Sequence, residues 1–186
     1  MTHDTRAQTT IDLAVGISLF LLVLTFVFLF VPDLLEPFNT GSQEETVAVN
    51  RAADELTQRQ LGNASEPYVL NATCTAKFFD REDPGSCNYG DGETVGQQLG
   101  LDGRLSVNVT VTRVGHPDLS DGDDIHCWDA DTTSLTVKSS GDCTSGSGDV
   151  ALQAGPSFEQ GSVSSVSARR VVTLDGQAVS LTVVMW

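Results

Sequence analysis

From Leu13 to Val31 the chain runs nineteen residues without a charged side chain. Coiled as one helix at ~1.5 Å per residue, that run spans ~30 Å, the hydrocarbon thickness of a bilayer. A soluble fold does not leave so much contiguous apolar surface in water, so the segment must end in lipid or against other apolar chains. Arg6-Ala7-Gln8-Thr9-Thr10-Ile11-Asp12 leads into it. Asp12 stands at its very edge, where a carboxylate leaving water needs a partner. At the far end, Pro32-Asp33-Leu34 lacks the small-residue pattern of a secretory cleavage site. The run is also longer than the apolar core of a conventional signal peptide. The sequence therefore favours a helix retained on the protein. Arg6, ahead of the run, sets the N-terminus on the cytoplasmic side and the C-terminal domain outside, as a single-pass protein of the cell membrane.

These residues resemble the start of archaeal type IV pilin-like precursors, membrane-anchored surface proteins with a class III signal peptide. In that family a short polar leader ends in a basic residue and a Gly or Ala. A prepilin-type peptidase cuts there, and the mature chain opens an apolar helix whose fifth residue is acidic. Here Arg6 and Ala7 would close the leader, Gln8 would come first, Thr10 third and Asp12 fifth. One subclass begins Gln-x-Ser-x-Glu; this chain has Thr for Ser, Asp for Glu, Ala for Gly, and one basic residue in the leader. The motif covers about a dozen residues, and the helix extends the likeness to roughly a quarter of the chain. The whole chain is also similar to small pilin-like surface proteins of halophilic archaea. The resemblance implies like or related pilin subunits as partners, with Asp12 paired to the freed amine of Gln8 on a neighbour. Without it, Asp12 reads as a hydrated carboxylate at the cytoplasmic interface, near a helix N-terminus whose dipole favours an anion.

The net charge is -15, and only two of the ten cations are lysines, Lys77 and Lys138. That balance repels polyanions and excludes nucleic acid as a partner. It suits a surface that must stay hydrated in concentrated salt, where Debye lengths fall to ~3 Å. The four cysteines, Cys74, Cys87, Cys127 and Cys143, allow three pairings. Sequence-local pairs would close loops of about 15 residues, each worth ~3 kcal/mol in the chain-entropy model. Zinc is the rival, but there is no Cys-x-x-Cys, and His126 beside Cys127 is poor ligand spacing. Disulfides are expected, and with them an oxidising exterior. Asn63, Asn71 and Asn108 each open an Asn-x-Ser/Thr acceptor on the side of the helix expected outside, which suggests a glycoprotein.

Four segments follow from the patterning: a leader at 1–7, the transmembrane and assembly helix at 8–36, a linker with an amphipathic helix at 37–60, and a β-rich head at 61–186. Gln43 to Gln60 reads as a helix with a narrow stripe of Val49, Ala52, Ala53 and Leu56, able to pack on a sheet or continue a stalk. Short strands are expected at Pro67–Leu70 and Thr75–Phe79. Leu105 to Val114 alternates strictly and predicts a strand with Asn108 on its open face. Leu135 and Val137 suggest a shorter strand. Val163–Leu174 and Gln177–Met185 flank Asp175-Gly176, the dipeptide of a type I′ turn, and predict a C-terminal β-hairpin. Arg169-Arg170 interrupt its first strand and suggest an edge or a bulge.

No catalytic set stands out. Asp118 to Asp131 is rich in carboxylates but fails the EF-hand spacing, and reads as a solvated acidic loop. His116 and His126 read as surface or turn residues; Trp128 and Trp186 read as packing residues. No metal, no cofactor and no small-molecule substrate is implied, and the chain is read as a non-enzyme. The fold class is α+β: a long N-terminal transmembrane helix and a small β-rich extracytoplasmic head. The function expected is a structural subunit, major or minor, of a type IV cell-surface filament or pseudopilus. The alternative is a stand-alone anchored binding or adhesion module.

Overall fold

Nineteen uncharged, mostly apolar positions in a row admit one hydrogen-bonded solution without a partner strand, and α1 takes it over Thr5–Leu35. The computed structural model describes residues 5–35, 41–63, 65–101, 105–116, 119, 123–141, 143–144, 148–158 and 164–186. Two units divide the chain at Gly41. In the first, α1 continues through Pro32 rather than ending there. At 31 residues it is about 46 Å long, more than a bilayer core needs.

The second unit, Ser42–Trp186, is α+β. α2 (Gly41–Glu55) continues through a π-type turn at Leu56–Gln60. β1 (Gly62–Asn63), β2 (Glu66–Leu70), α3 (Ala72–Asp80) and the short α4 (Val95–Gln98) follow. Then come β3 (Val107–Arg113), β4 (His126–Asp129), β5 (Ser134–Val137), β6 (Val150–Ala151), β7 (Gln153–Ala154), β8 (Val166–Leu174) and β9 (Gln177–Met185). Six strands form one sheet in the order β1-β2-β8-β9-β3-β7, and three form a second, β5-β4-β6. The spine is antiparallel: β8 pairs with β9 from Val166 opposite Met185 to Leu174 opposite Gln177, and β9 pairs with β3 over seven positions. Asp175 and Gly176 both have positive φ, 50° and 73°, the backbone that a type I′ turn demands. β8 carries Arg169 and Arg170 without losing register, so there is no bulge at that point.

One face of this spine is the core. Val109 and Val111 of β3, Leu181 and Val183 of β9, and Val172 and Leu174 of β8 belong to one buried apolar cluster with Val49, Ala53 and Leu56 of the α2 region. The stripe on α2 is therefore a core stripe. Arg170, on the core-facing parity of β8, ties the helix down: its Nε donates to Asp54 Oδ1 at 2.8 Å and its Nη2 to Asn50 Oδ1 at 3.1 Å. The Asp54 hydrogen bond raises the Arg170 pKa above its ordinary value.

Two expectations are corrected. Thr75–Phe79 is helix, not strand: the Asn71 side chain caps α3 by accepting from Cys74 N–H at 3.0 Å. The adjacent Phe78 and Phe79 are both buried; Phe78 meets Phe79 and Tyr89 edge to face, at 5.3 and 5.4 Å. The second face of β3 is also not open. Asn108 is 1 % exposed, and Thr110, Thr112, Ser180 and Thr182 around it are buried as well. Asn108 Nδ2 donates to the Pro156 carbonyl at 2.9 Å, and its Oδ1 accepts from Thr110 at 2.7 Å. The chain after β7 can approach so closely because residue 155 is glycine, where a Cβ would run into the Val107 carbonyl.

Leu56 tests whether α2 belongs to the core. Leu56→Ala is expected to cost about 2–5 kcal/mol in denaturant unfolding of the oxidised chain. A loss below about 0.5 kcal/mol, the scale of a surface position, would contradict the packing described.

Candidate functional site

The polar side chains within Ile11–Leu29 decide what α1 can do. None of these 19 residues is buried. Ser18 Oγ donates to the Ala14 carbonyl at 2.7 Å and Thr25 Oγ1 to the Leu21 carbonyl at 2.8 Å. Both hydroxyls are thus satisfied inside the helix, as an apolar medium requires. Asp12 is the one ionisable side chain in the segment and has no partner among the described residues. Ile11, Ala14, Val15, Ser18, Leu19 and Leu22 line a shallow groove along one side, made where small Ala14 and Ser18 sit between larger neighbours. Small residues at four-residue spacing let a second helix approach closely. Arg6, Ala7 and Gln8 lie in the first turns of α1. The structure thus brings the residues of the expected processing site and Asp12 onto one continuous helix.

In the Ser42–Trp186 unit the cysteines pair as sequence-local loops. Cys74–Cys87 fastens α3 to the following loop, and Cys127–Cys143 fastens β4. Among the described residues no cysteine is free and none groups with His, Asp or Glu as a metal site. The three acceptor asparagines differ in surroundings. Asn63 and Asn71 are exposed, and each uses only its oxygen, accepting from Ser65 N–H and Cys74 N–H at 3.0 Å. Their Nδ2 atoms, the ones a glycan would join, are free of partners among the described residues. Asn108 is the opposite case, with its Nδ2 engaged in the interior.

The acidic stretch is not uniformly solvated. Asp124 and Asp129 are buried, which corrects that expectation; Asp118 and Asp121 lie outside the described residues. Asp124 Oδ1 accepts from Arg113 Nη2 and His116 Nδ1, both at 2.9 Å. Asp129 closes the turn after β4, accepting from the backbone N–H groups of Thr132 and then Asp131, and the Thr132 hydrogen bonds above all hold its pKa below the usual carboxylate value. His126 is likewise buried on β4 rather than on the surface. Its Nδ1 lies 3.1 Å from the Thr136 carbonyl, which can only accept, so Nδ1 carries the hydrogen. These carboxylates and imidazoles are thus committed to fixing strand ends and turns. Arg170, which joins the head's helix to its sheet, was legible only as a charge interrupting a strand.

A model of a family of unknown function, DUF7287, matches residues 4–186. The chain belongs to that family. The match takes in α1 and the head together. No curated protein and no solved structure matches the chain.

Two measurements follow. If the host glycosylates this chain, mass spectrometry of its peptides should find glycan on Asn63 or Asn71 and none on Asn108; occupancy at Asn108 alone would contradict the burial. The second concerns pH. Burial holds the His126 imidazole below its ordinary 6.5, so the unfolded chain binds the proton first as pH falls. The stability it supports is complete above about pH 6.5 and declines as pH drops through that value. Urea midpoints should show this decline, and His126→Gln should flatten it; an unchanged slope in the variant would rule it out.

Proposed function

We propose that the chain is a pilin-like structural subunit of a cell-surface filament or pseudopilus, held and assembled through α1. The observation that carries the reading is α1 itself: an apolar segment none of whose residues from Ile11 to Leu29 is buried among the described residues, with a lone carboxylate at its edge. A simple anchor needs the first and has no use for the second. A carboxylate drawn into a stack of helices must be neutralised, since an uncompensated buried charge costs several kcal/mol. Cleavage after Ala7 would create a cation, the amine of Gln8, four residues before Asp12, within reach of Asp12 on an adjacent copy. The groove at Ala14 and Ser18 supports close helix contact in the same stack.

In this reading α1 spans the membrane before assembly, with its N-terminus cytoplasmic and the head outside, where disulfides persist. The partners are a prepilin-type peptidase and like or related subunits. The acidic composition fits a saline exterior. The second reading, an anchored adhesion or binding module, is favoured by the size of the head, whose own core needs no filament.

Membrane-derived protein is expected to begin at Gln8 by N-terminal analysis; a retained Met1, or a start near Asp33, would contradict processing. Asp12→Ala removes the charge while leaving the helix apolar. The variant is expected to be made, cleaved and held in the membrane, yet absent from filaments. Entry at parental levels would contradict the role given to Asp12, and absence of the parent chain itself from filaments would favour the anchored module.

A further inference from the structure

α3 has two working sides. Thr75, Phe78 and Phe79 are buried, while Thr73, Ala76, Lys77 and Asp80 recur at helical spacing along another side. That second side borders a cavity of about 330 Å³ shared with β4 and β6. Small-molecule sites begin at about this size, ~300 Å³. Trp128 of β4 lines the same cavity. It packs against the core cluster yet is only half-buried, so the indole serves the interior and the cavity at once. Ala76, Ala130 and Gly148 keep the space open because they are short. Gly148 has a φ of 90°, and a Cβ there would lie 3.4 Å from that of Ala130. Both disulfides brace the walls. Cys74, beside Thr73, is joined to Cys87, and Cys127, beside Trp128, is joined to Cys143. A cavity held this way loses little freedom when a ligand enters.

The polar groups around the indole are unspent. Thr73, Lys77, Asp80, Glu82 and Thr133 line the cavity, and none of these five side chains forms a hydrogen bond or ion pair among the described residues. Asp124, Asp129 and Asp149, by contrast, are committed to strand ends and turns. The unspent set holds two acceptors, one donor and two hydroxyls that are both. It also selects by charge. Lys77 opposes an organic cation over the indole, and Asp80 with Glu82 opposes an anion. A neutral molecule with one apolar face and a rim of hydroxyls satisfies every group. A sugar ring has that form.

We propose that this cavity binds a neutral saccharide, with its C–H face on Trp128 and its hydroxyls shared among Asp80, Glu82 and Lys77. The site lies wholly within the head and is the same whether or not the chain enters filaments. The sugar has two possible sources. Asn71, a glycan acceptor, stands two residues from Thr73, so the chain's own glycan is one; a saccharide of another surface is the other.

The test is saturation-transfer NMR on full-length protein in a detergent without a sugar headgroup. The probes are the methyl glycosides of glucose, galactose, mannose and N-acetylglucosamine, and tetramethylammonium. At least one glycoside is expected to bind with a Kd on the order of millimolar, the range for a ligand of about a dozen heavy atoms. Asp80→Ala with Glu82→Ala, both exposed, should weaken it by roughly ten-fold or more. Trp128→Leu should abolish it. Absence of free thiols in each variant establishes that the head has folded. Asn71→Asp keeps the cap on α3 and removes the acceptor. Binding to the parent supports the site and an outside saccharide; binding only to Asn71→Asp supports the site and the chain's own glycan as its occupant. No glycoside bound by either form, binding indifferent to the two carboxylates, or tetramethylammonium bound in place of the sugars would overturn the proposal.

Discussion

The chain is governed by the apolar surface of Ile11–Leu29, none of which is buried among the described residues. Fully burying a Leu, Ile, Val or Phe side chain is worth about 1.5–3 kcal/mol, so a dozen or more of them amount to tens of kcal/mol. A domain's folding stability is only about 5–15 kcal/mol. The environment that takes up this helix therefore decides where the rest of the protein resides. The internal hydrogen bonds of Ser18 and Thr25 remove two obstacles to entering an apolar medium. Asp12 remains, and it is the feature that distinguishes being held in a membrane from being packed among helices.

The head is built to fold independently of that choice. Its antiparallel spine, β8-β9-β3, brings chain-distant residues together with α2 in one apolar cluster, and the two disulfides brace the loop-rich stretches around it. Arg170 links the layers from β8, where its guanidinium reaches both the helix acid and the carbonyl of Arg169. The same strand leaves Arg169 and Val171 exposed. One strand thus serves the interior with one set of residues and the exterior with the other.

Much of this was legible in the sequence because period and punctuation agree. The Asp175-Gly176 turn, the alternation in Leu105 to Val114 and the stripe on α2 are local signals that tertiary structure did not override. Where the reading failed, long-range packing decided. Thr75–Phe79 has the composition of a strand, but the Asn71 cap and the contact of Phe78 with Tyr89 select helix. Asn108 sits at the polar phase of a strand, yet the segment at Gly155–Pro156 covers it, and no local pattern announces a segment 48 residues away. His126 and Asp129 followed the same course: polar residues in an acidic stretch, drawn inside by β4 between β5 and β6. For α1, the sequence gives apolarity and the position of Asp12, and the groove at Ala14 and Ser18 becomes apparent only when the helix is built.

The central claim is that α1 packs against α1 of other copies along that groove. Among the described residues no native cysteine is free, so Ser18→Cys introduces a single reactive thiol into the groove. Oxidative crosslinking of surface filaments carrying this variant measures the contact directly. The account predicts disulfide-linked multimers in the filament fraction, lost when the thiol is placed instead at Phe20, outside the groove residues. Only monomer from Ser18→Cys, with its thiol open to a lipid-soluble reagent, would contradict it.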